Sequence, residues 1–213
     1  MKLRTPMLLA CTLALSFPVF ALTATAPATE ACVPSKIAAT QAALRDLWIG
    51  HVFWVRNVVN ARFAGNLGAA KAAEQQVVVN AQAIAGAIEP FYGKAASDQL
   101  FKLLARHWGA ISDYLDATRA GNKAEQEAAY QALSESAGQI ATFLGGANPY
   151  LPVDTLRGLL TAHGAHHVQQ IQQLQAKQYD QEAKTWAAMK DHMYVIADAL
   201  AGGIAKQFPE KFR

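Results

Sequence analysis

The sequence L-R-D-L-W-I-G-H, from Leu44 to His51, returns in altered form as L-F-K-L-L-A-R-H at 100–107 and as L-R-G-L-L-T-A-H at 156–163. Each copy begins 56 residues after the one before it, and the copies align without gaps. A second apolar block starts at Val77 and returns in the same register at Leu133 and Met189. Two blocks that recur three times in one register predict an internal repeat.

Each copy predicts a helical hairpin, because its apolar residues recur at spacings of three and four. The pairs Gly65-Asn66 and Gly121-Asn122 supply the left-handed residue that ends a helix. In the third copy Lys177-Gln178 stands at this position, so we expect that hairpin to turn differently, near Tyr179-Asp180.

Prolines mark the hairpin boundaries at Pro34, Pro90 and Pro149 with Pro152. Residues suited to cap the first helix of each hairpin are Ser35, Ser97 or Asp98, and Asp154. The prediction is an all-α fold, a six-helix bundle built from three repeated αα-hairpins, at about 35–91, 92–147 and 148–209. The six helices are expected at about 36–64, 68–89, 94–120, 123–145, 153–177 and 180–207. The abundant alanine suits close helix packing.

The first residues have the pattern of a secretory signal peptide. Lys2 and Arg4 precede an apolar stretch, and a small residue for cleavage follows at Ala21. A lipobox ending at Cys11 would leave a shorter apolar core, so cleavage after Ala21 is favoured over a lipoprotein. We therefore expect a signal peptide at 1–21, a flexible leader at 22–34, one domain at 35–209 and a periplasmic location.

Charge and cysteine content exclude several classes of protein. Removing Lys2 and Arg4 leaves 17 basic residues against 16 acidic ones, so the formal net charge falls from +3 to +1. That charge gives no basis for nucleic-acid binding. Cys32 would be the single cysteine left, which excludes an intramolecular disulfide. After the signal peptide, no run reaches the roughly 18 apolar residues that a transmembrane helix needs.

Three histidines share one repeat position, namely His51, His107 and His163. Each lies in the apolar stripe of its helix, so we expect all three to point inward. Imidazole is a common ligand of zinc, copper and nickel, and three of them can leave an open coordination position. His167, one turn after His163, could join them, while His166 is expected to face elsewhere.

The second helices of the hairpins place Asn80, Ser136 and His192 at one repeat position beside the apolar stripe. Asn80 and His192 are therefore further candidate ligands. Met189 and Met193 flank His192, and thioether with imidazole is a donor set for copper(I). Core packing explains the two methionines equally well, because the repeat places apolar residues at their positions.

The main hypothesis is an exported bundle that binds a transition metal or a small ligand through this interior histidine cluster. The alternative is a non-enzymatic scaffold or partner-binding module whose buried His, Asn and Ser layer only fixes helix packing. An enzyme would need the histidines to line a water-filled cavity. No His-Glu-x-x-His, G-x-S-x-G or C-x-x-C-H motif occurs, which removes the signatures of zincins, α/β-hydrolases and c-type haem proteins.

Several motifs together resemble a family of bacterial helical proteins of unassigned activity. They are Leu47-Trp48 with His51-Val52-Phe53-Trp54, Pro90-Phe91-Tyr92-Gly93, Asn148-Pro149-Tyr150 and Gln207-Phe208-Pro209. The resemblance spans about residues 40–209 and implies a helical fold. Some members bear the name acetylglutamate kinase and others glycosyltransferase. Kinase activity is not expected, since the chain has neither strand periodicity nor a phosphate-binding glycine motif.

The family pattern matches this chain at Asn80 and at the three repeated histidines. It departs at Ser136, where relatives often have Asn, and at Ala83 and Gly138, where they often have Asp. The missing carboxylates weaken any carry-over of a carboxylate-dependent metal or acid/base site from the family to this chain.

Overall fold

The apolar periodicity gives six α-helices in the computed structural model, which describes residues 35–213. The predicted signal peptide at 1–21 and the leader at 22–34, with Cys11, Cys32 and Pro34, lie outside the described residues. The helices are α1 (Lys36–Phe63), α2 (Leu67–Tyr92), α3 (Lys94–Ala120), α4 (Lys123–Ala147), α5 (Val153–Gln175) and α6 (Tyr179–Gln207). A short 3₁₀ helix at Pro209–Phe212 follows, and residues 35–213 contain no strand.

The helices form a closed ring. Each helix packs against the next one in the chain, and α6 packs against α1. Helix α5 also contacts α1 and α3, so it has neighbours across the interior as well as beside it. This arrangement confirms the predicted all-α bundle. Helices α2, α4 and α6 begin at residues 67, 123 and 179, and the 56-residue repeat itself stays a prediction from the sequence.

The three hairpin turns share one backbone pattern. Gly65 and Gly121 have φ values of 71° and 69°, and Lys177 adopts the same left-handed region with φ 56°. In each turn the next residue's N–H donates to a carbonyl five residues earlier, as from Gln178 to Gln173. The prediction that the third hairpin turns differently is therefore wrong. The hydrogen bonds of the turn hold a lysine in a conformation that glycine adopts more easily.

The predicted caps are correct at one position and wrong at two. Ser35 caps α1 by accepting a hydrogen bond from the Ala38 N–H. Helix α3 instead begins after Gly93, which leaves Ser97 and Asp98 inside the helix. Helix α5 begins after Pro152, and Asp154 in its first turn binds Arg157. Asn66 and Asn122, which sequence analysis treated as turn residues, cap α2 and α4.

Helix α2 also runs three residues past its predicted end at 89, and Pro90 lies in its last turn. A proline there removes a single backbone hydrogen bond and leaves the helix intact to Tyr92. The Lys211 ammonium donates to the Pro90 carbonyl, which supplies that end of α2 with a partner from the C-terminal segment.

The apolar core is divided into two clusters along the bundle. The larger cluster contains Trp48 of α1 and Leu160 of α5, with residues from all six helices. The smaller one contains Val55 of α1 and Ile171 of α5. On both helices the buried histidines lie between these apolar positions. A layer of imidazole therefore separates the two clusters.

None of the helices within residues 35–213 combines the length and apolar character needed to cross a membrane.

Candidate metal centre

Helix α5 supplies two histidines to the interior because His163 and His167 are one turn apart on its buried face. His51 of α1 faces them, in keeping with the contact between α1 and α5. All three side chains are buried, and each offers one nitrogen such that the three nitrogens lie within 4.8 Å of one another. These residues are called the inner histidines below.

The ring separations are close to those of imidazoles that share an ion. The ring centres of His163 and His167 are 4.6 Å apart, those of His51 and His163 are 5.6 Å apart, and those of His51 and His167 are 6.1 Å apart. A zinc–nitrogen distance of about 2.1 Å puts two ring centres on one tetrahedral ion about 5.2 Å apart. The three separations lie on both sides of this value, and the three nitrogens must draw closer than their present limit of 4.8 Å to share one ion.

The nitrogens of this group lack partners. Nδ1 of His51, both ring nitrogens of His163 and Nε2 of His167 are buried with no hydrogen bond from any of residues 35–213. A neutral imidazole has one N–H and one lone pair, and leaving either of them buried and unpaired costs about 1–3 kcal/mol. The inner histidines therefore hold unused ligand atoms in the core.

Burial also keeps these rings neutral. Desolvation lowers the pKa of His51 to about 4. It lowers the pKa values of His163 and His167 well below 6.5, and the charges of the neighbouring histidines lower them further. Because a metal binds the unprotonated nitrogen, rings that are already neutral at pH 7 release no proton when they bind an ion.

His107 lies beside this group without belonging to it. Its ring stacks against His163 with centres 5.6 Å apart. Its Nδ1 is 2.9 Å from the Ser136 hydroxyl, which donates its single hydrogen to the Leu133 carbonyl at 2.7 Å. The hydroxyl must then accept from His107, so Nδ1 carries the proton and the buried, unpaired Nε2 carries the lone pair. Burial lowers the pKa of His107 to about 3.

The other two predicted ligands hydrogen-bond to the backbone. Asn80 Nδ2 donates to the Leu47 carbonyl at 3.0 Å, and His192 Nε2 donates to the Leu159 carbonyl at 2.8 Å. In both pairs the donor comes 33 residues after the acceptor. Each side chain thus joins the second helix of a hairpin to the first, and His192 is not among the three histidines whose nitrogens lie within 4.8 Å of one another.

Met189 and Met193 are fully buried in the larger apolar cluster. This burial agrees with the core-packing interpretation of the two methionines.

The sequence did not reveal an ion pair between α1 and α6, which also contacts α5 at Gln170, three residues after His167. Glu182 of α6 is buried and binds Arg56 of α1 through two hydrogen bonds of 2.7 and 2.6 Å. Gln170 of α5 donates to the same carboxylate, and the Arg56 guanidinium lies 4.9 Å from the centre of the Trp186 ring. The carboxylate therefore already has partners from α1 and α5.

Comparisons of the chain with protein-family models, with curated proteins and with solved structures found no match.

Proposed function

We propose that this chain binds one transition-metal ion, of the zinc, copper or nickel class, through His51, His163 and His167. Three neutral nitrogen donors suit these metals, and a three-histidine set leaves a coordination position for a further ligand. Three buried histidines close enough to hold an ion are the basis of this proposal.

The observation that favours metal binding over a packing layer is the distribution of unpaired atoms. Eight buried side-chain nitrogen and oxygen atoms within residues 35–213 have no partner, and five of them belong to His51, His107, His163 and His167. A polar layer that only fixes helix packing is expected to satisfy its buried atoms, as His192 does on the Leu159 carbonyl. A bound ion would instead use the lone pairs that the histidine layer leaves free.

The chemistry available to such a centre follows from its ligands. The ion would sit between the two apolar clusters, where the low dielectric strengthens its interaction with a fourth ligand. That ligand would be water or a small molecule. Because the inner set contains no carboxylate, the full positive charge of the ion would act on whatever occupies the open position.

The proposal is tested by titrating the purified chain with Zn²⁺ in competition with a chromophoric chelator. We expect one tightly bound ion per chain, and an affinity at least about a hundredfold lower in His163→Ala, since even outer-shell partners of a metal contribute 10–100-fold. Gln169→Ala is the matched control, because Gln169 is exposed on the same helix α5 and is not a proposed ligand. Equal affinities in the two variants would contradict the proposal.

A thermal measurement separates lost binding from lost folding. An ion that binds only the folded chain stabilises it by about 2.7 kcal/mol at a hundred times its dissociation constant. The unfolding midpoint of the unaltered chain should therefore rise with Zn²⁺, and that of His51→Gln should not. A His51→Gln chain that is folded and is stabilised equally by Zn²⁺ would overturn the assignment of His51.

The sequence adds a proposal about location, namely export through the predicted signal peptide at 1–21. The expected product is a periplasmic chain that begins at Leu22. Mass spectrometry of the chain recovered from the periplasmic fraction measures this directly, and an intact Met1 or a lipid on Cys11 would contradict it.

A further inference from the structure

Two histidines lie outside the four that are buried, and their rings face each other. His166 of α5 and His192 of α6 have ring centres 5.6 Å apart, with 57° between the ring planes. Both side chains are half-buried, whereas the inner histidines are buried. Solvent therefore reaches this pair, which we call the outer pair.

The hydrogen bond of His192 determines which of its nitrogens can bind an ion. Its Nε2 lies 2.8 Å from the Leu159 carbonyl oxygen, which can only accept. The proton must then be on Nε2, and Nδ1 carries the lone pair. An imidazole whose other nitrogen donates to a carbonyl is the arrangement usual for metal-bound histidine, because that bond fixes both the tautomer and the ring orientation.

The spacing of the outer pair matches a shared ion. Two imidazoles on one tetrahedral ion have ring centres about 5.2 Å apart, and the observed separation is 5.6 Å. Two protein ligands, with water in the remaining positions, hold an ion more weakly than three. Such a site exchanges its ion readily.

The outer pair also adjoins the inner histidines. His166 directly precedes His167 and follows His163 by three residues on α5. His192 lies near enough to His163 for its charge to contribute to the lowered pKa of that ring. An ion held by the outer pair would therefore share helix α5 with two of the inner ligands.

We propose that His166 and His192 form a second, solvent-reachable metal site that captures the ion and passes it to His163 and His167. The capture site rests on geometry alone, while the transfer step also rests on the function proposed above. The inner histidines are buried by the bundle, whereas the outer pair offers imidazoles that solvent reaches on α5 and α6.

The structure supplies a matched variant for the test. Asn80 has the same repeat position in the first hairpin as His192 in the third, and its amide donates to the Leu47 carbonyl. In His192→Asn an amide can therefore keep the bond to the Leu159 carbonyl while the imidazole ligand is lost. In stopped-flow mixing with Zn²⁺ we expect His192→Asn and His166→Ala to take up the ion about tenfold more slowly than the unaltered chain. Their equilibrium affinity for the inner site should not change.

Residue-resolved NMR of the imidazole nitrogens tests the capture site separately. The signals of His166 and His192 should shift on addition of Zn²⁺ beyond one equivalent, after those of His51, His163 and His167. Outer signals that stay fixed, or uptake rates equal to that of the unaltered chain, would overturn the inference. Inner signals that stay fixed while the outer ones shift would refute the proposed inner site and the transfer step, and would support a metal site at the outer pair.

Discussion

At His107, a neighbouring hydroxyl decides which ring nitrogen carries the proton. Ser136 donates to the Leu133 carbonyl and so can only accept from His107. Ser136→Ala leaves a buried N–H unpaired and should lower the free energy of unfolding by about 1–3 kcal/mol. Urea denaturation measures this, with the exposed Ser134→Ala as control. Equal stabilities of the two variants would mean that the bond to His107 contributes nothing.

The sequence predicted an inward position for His51, His107, His163 and His167, and all four are buried. It treated His107 as the equal of His51, because the two share a repeat position. The structure instead groups His51 with two histidines of α5. Helical geometry explains why His167 joins His163, since residues one turn apart on one helix are neighbours. The repeat pattern gives no reason for His51 rather than His107 to complete the group.

The partners of Asn80 and His192 could not be predicted from the sequence. Their position beside the apolar stripe is consistent with ligation or with hydrogen bonding to the backbone. The choice depends on side-chain rotamers and on the distance between paired helices, which periodicity does not specify. Both side chains point at a carbonyl of the preceding helix.

A glycine in a hairpin turn and a glycine inside a helix form a matched pair of positions for substitution by alanine. Gly121 has φ 69°, so Gly121→Ala should lower the free energy of unfolding by about 1 kcal/mol or more. Gly86 is an exposed glycine inside α2, and a Cβ added there would meet no other atom within 4 Å. Gly86→Ala should therefore raise the free energy of unfolding by about 0.5–1 kcal/mol. Chemical denaturation of both variants tests the turn geometry, and changes of the same sign would contradict it.

In the third turn a substitution to glycine is expected to raise the free energy of unfolding. Lys177 holds a positive φ that a side chain disfavours, so Lys177→Gly should stabilise the chain by about 0.5–1 kcal/mol. Lys177→Ala is the control, because alanine keeps the strain. A Lys177→Gly variant no more stable than Lys177→Ala would show that the left-handed conformation costs nothing there.

Helices α1 and α6 are joined by two ion pairs that differ in burial. Glu182 is buried against Arg56, whereas Arg45 and Asp198 form an exposed pair. Arg56→Ala strands the Glu182 carboxylate in the core and should destabilise the chain by at least about 2 kcal/mol, allowing for the part of Arg56 that solvent reaches. Arg45→Ala should have little effect. Comparable losses in urea denaturation would contradict this assignment.

The helices themselves were predictable because their apolar residues keep a spacing of three and four over 23 to 29 residues. The residues at which the helices begin were harder to predict. Helices α3 and α5 begin after Gly93 and Pro152, neither of which makes a side-chain cap bond. The polar residues that look like caps in the sequence lie within the helices instead, where Ser97 is buried and Asp154 binds Arg157.

For the whole molecule, the neutral histidine layer predicts acid sensitivity. Below pH about 6.5 an unfolded histidine gains a proton, while a buried one stays neutral down to its lowered pKa, about 4 for His51 and about 3 for His107. The stabilisation is therefore complete above pH 6.5. As the pH falls below it, the free energy of unfolding should decrease by about 1.4 kcal/mol per pH unit for each buried histidine.

Urea denaturation at pH 7.5, 6.5 and 5.5 measures this slope. His107→Leu removes one of the four titrating rings and should reduce the total loss of stability between pH 7.5 and 5.5 by about 1.4 kcal/mol. A stability that does not change from pH 7.5 to 5.5 would mean that the layer is hydrated or already charged.

The ring of six helices places α5 in contact with both α1 and α3, and its two histidines meet that of α1 between two apolar clusters. Anomalous diffraction from crystals soaked in Zn²⁺ tests whether this meeting point holds a metal. We expect a peak within about 2.0–2.3 Å of one nitrogen each of His51, His163 and His167. A fully soaked crystal with no anomalous density between these three rings would contradict it.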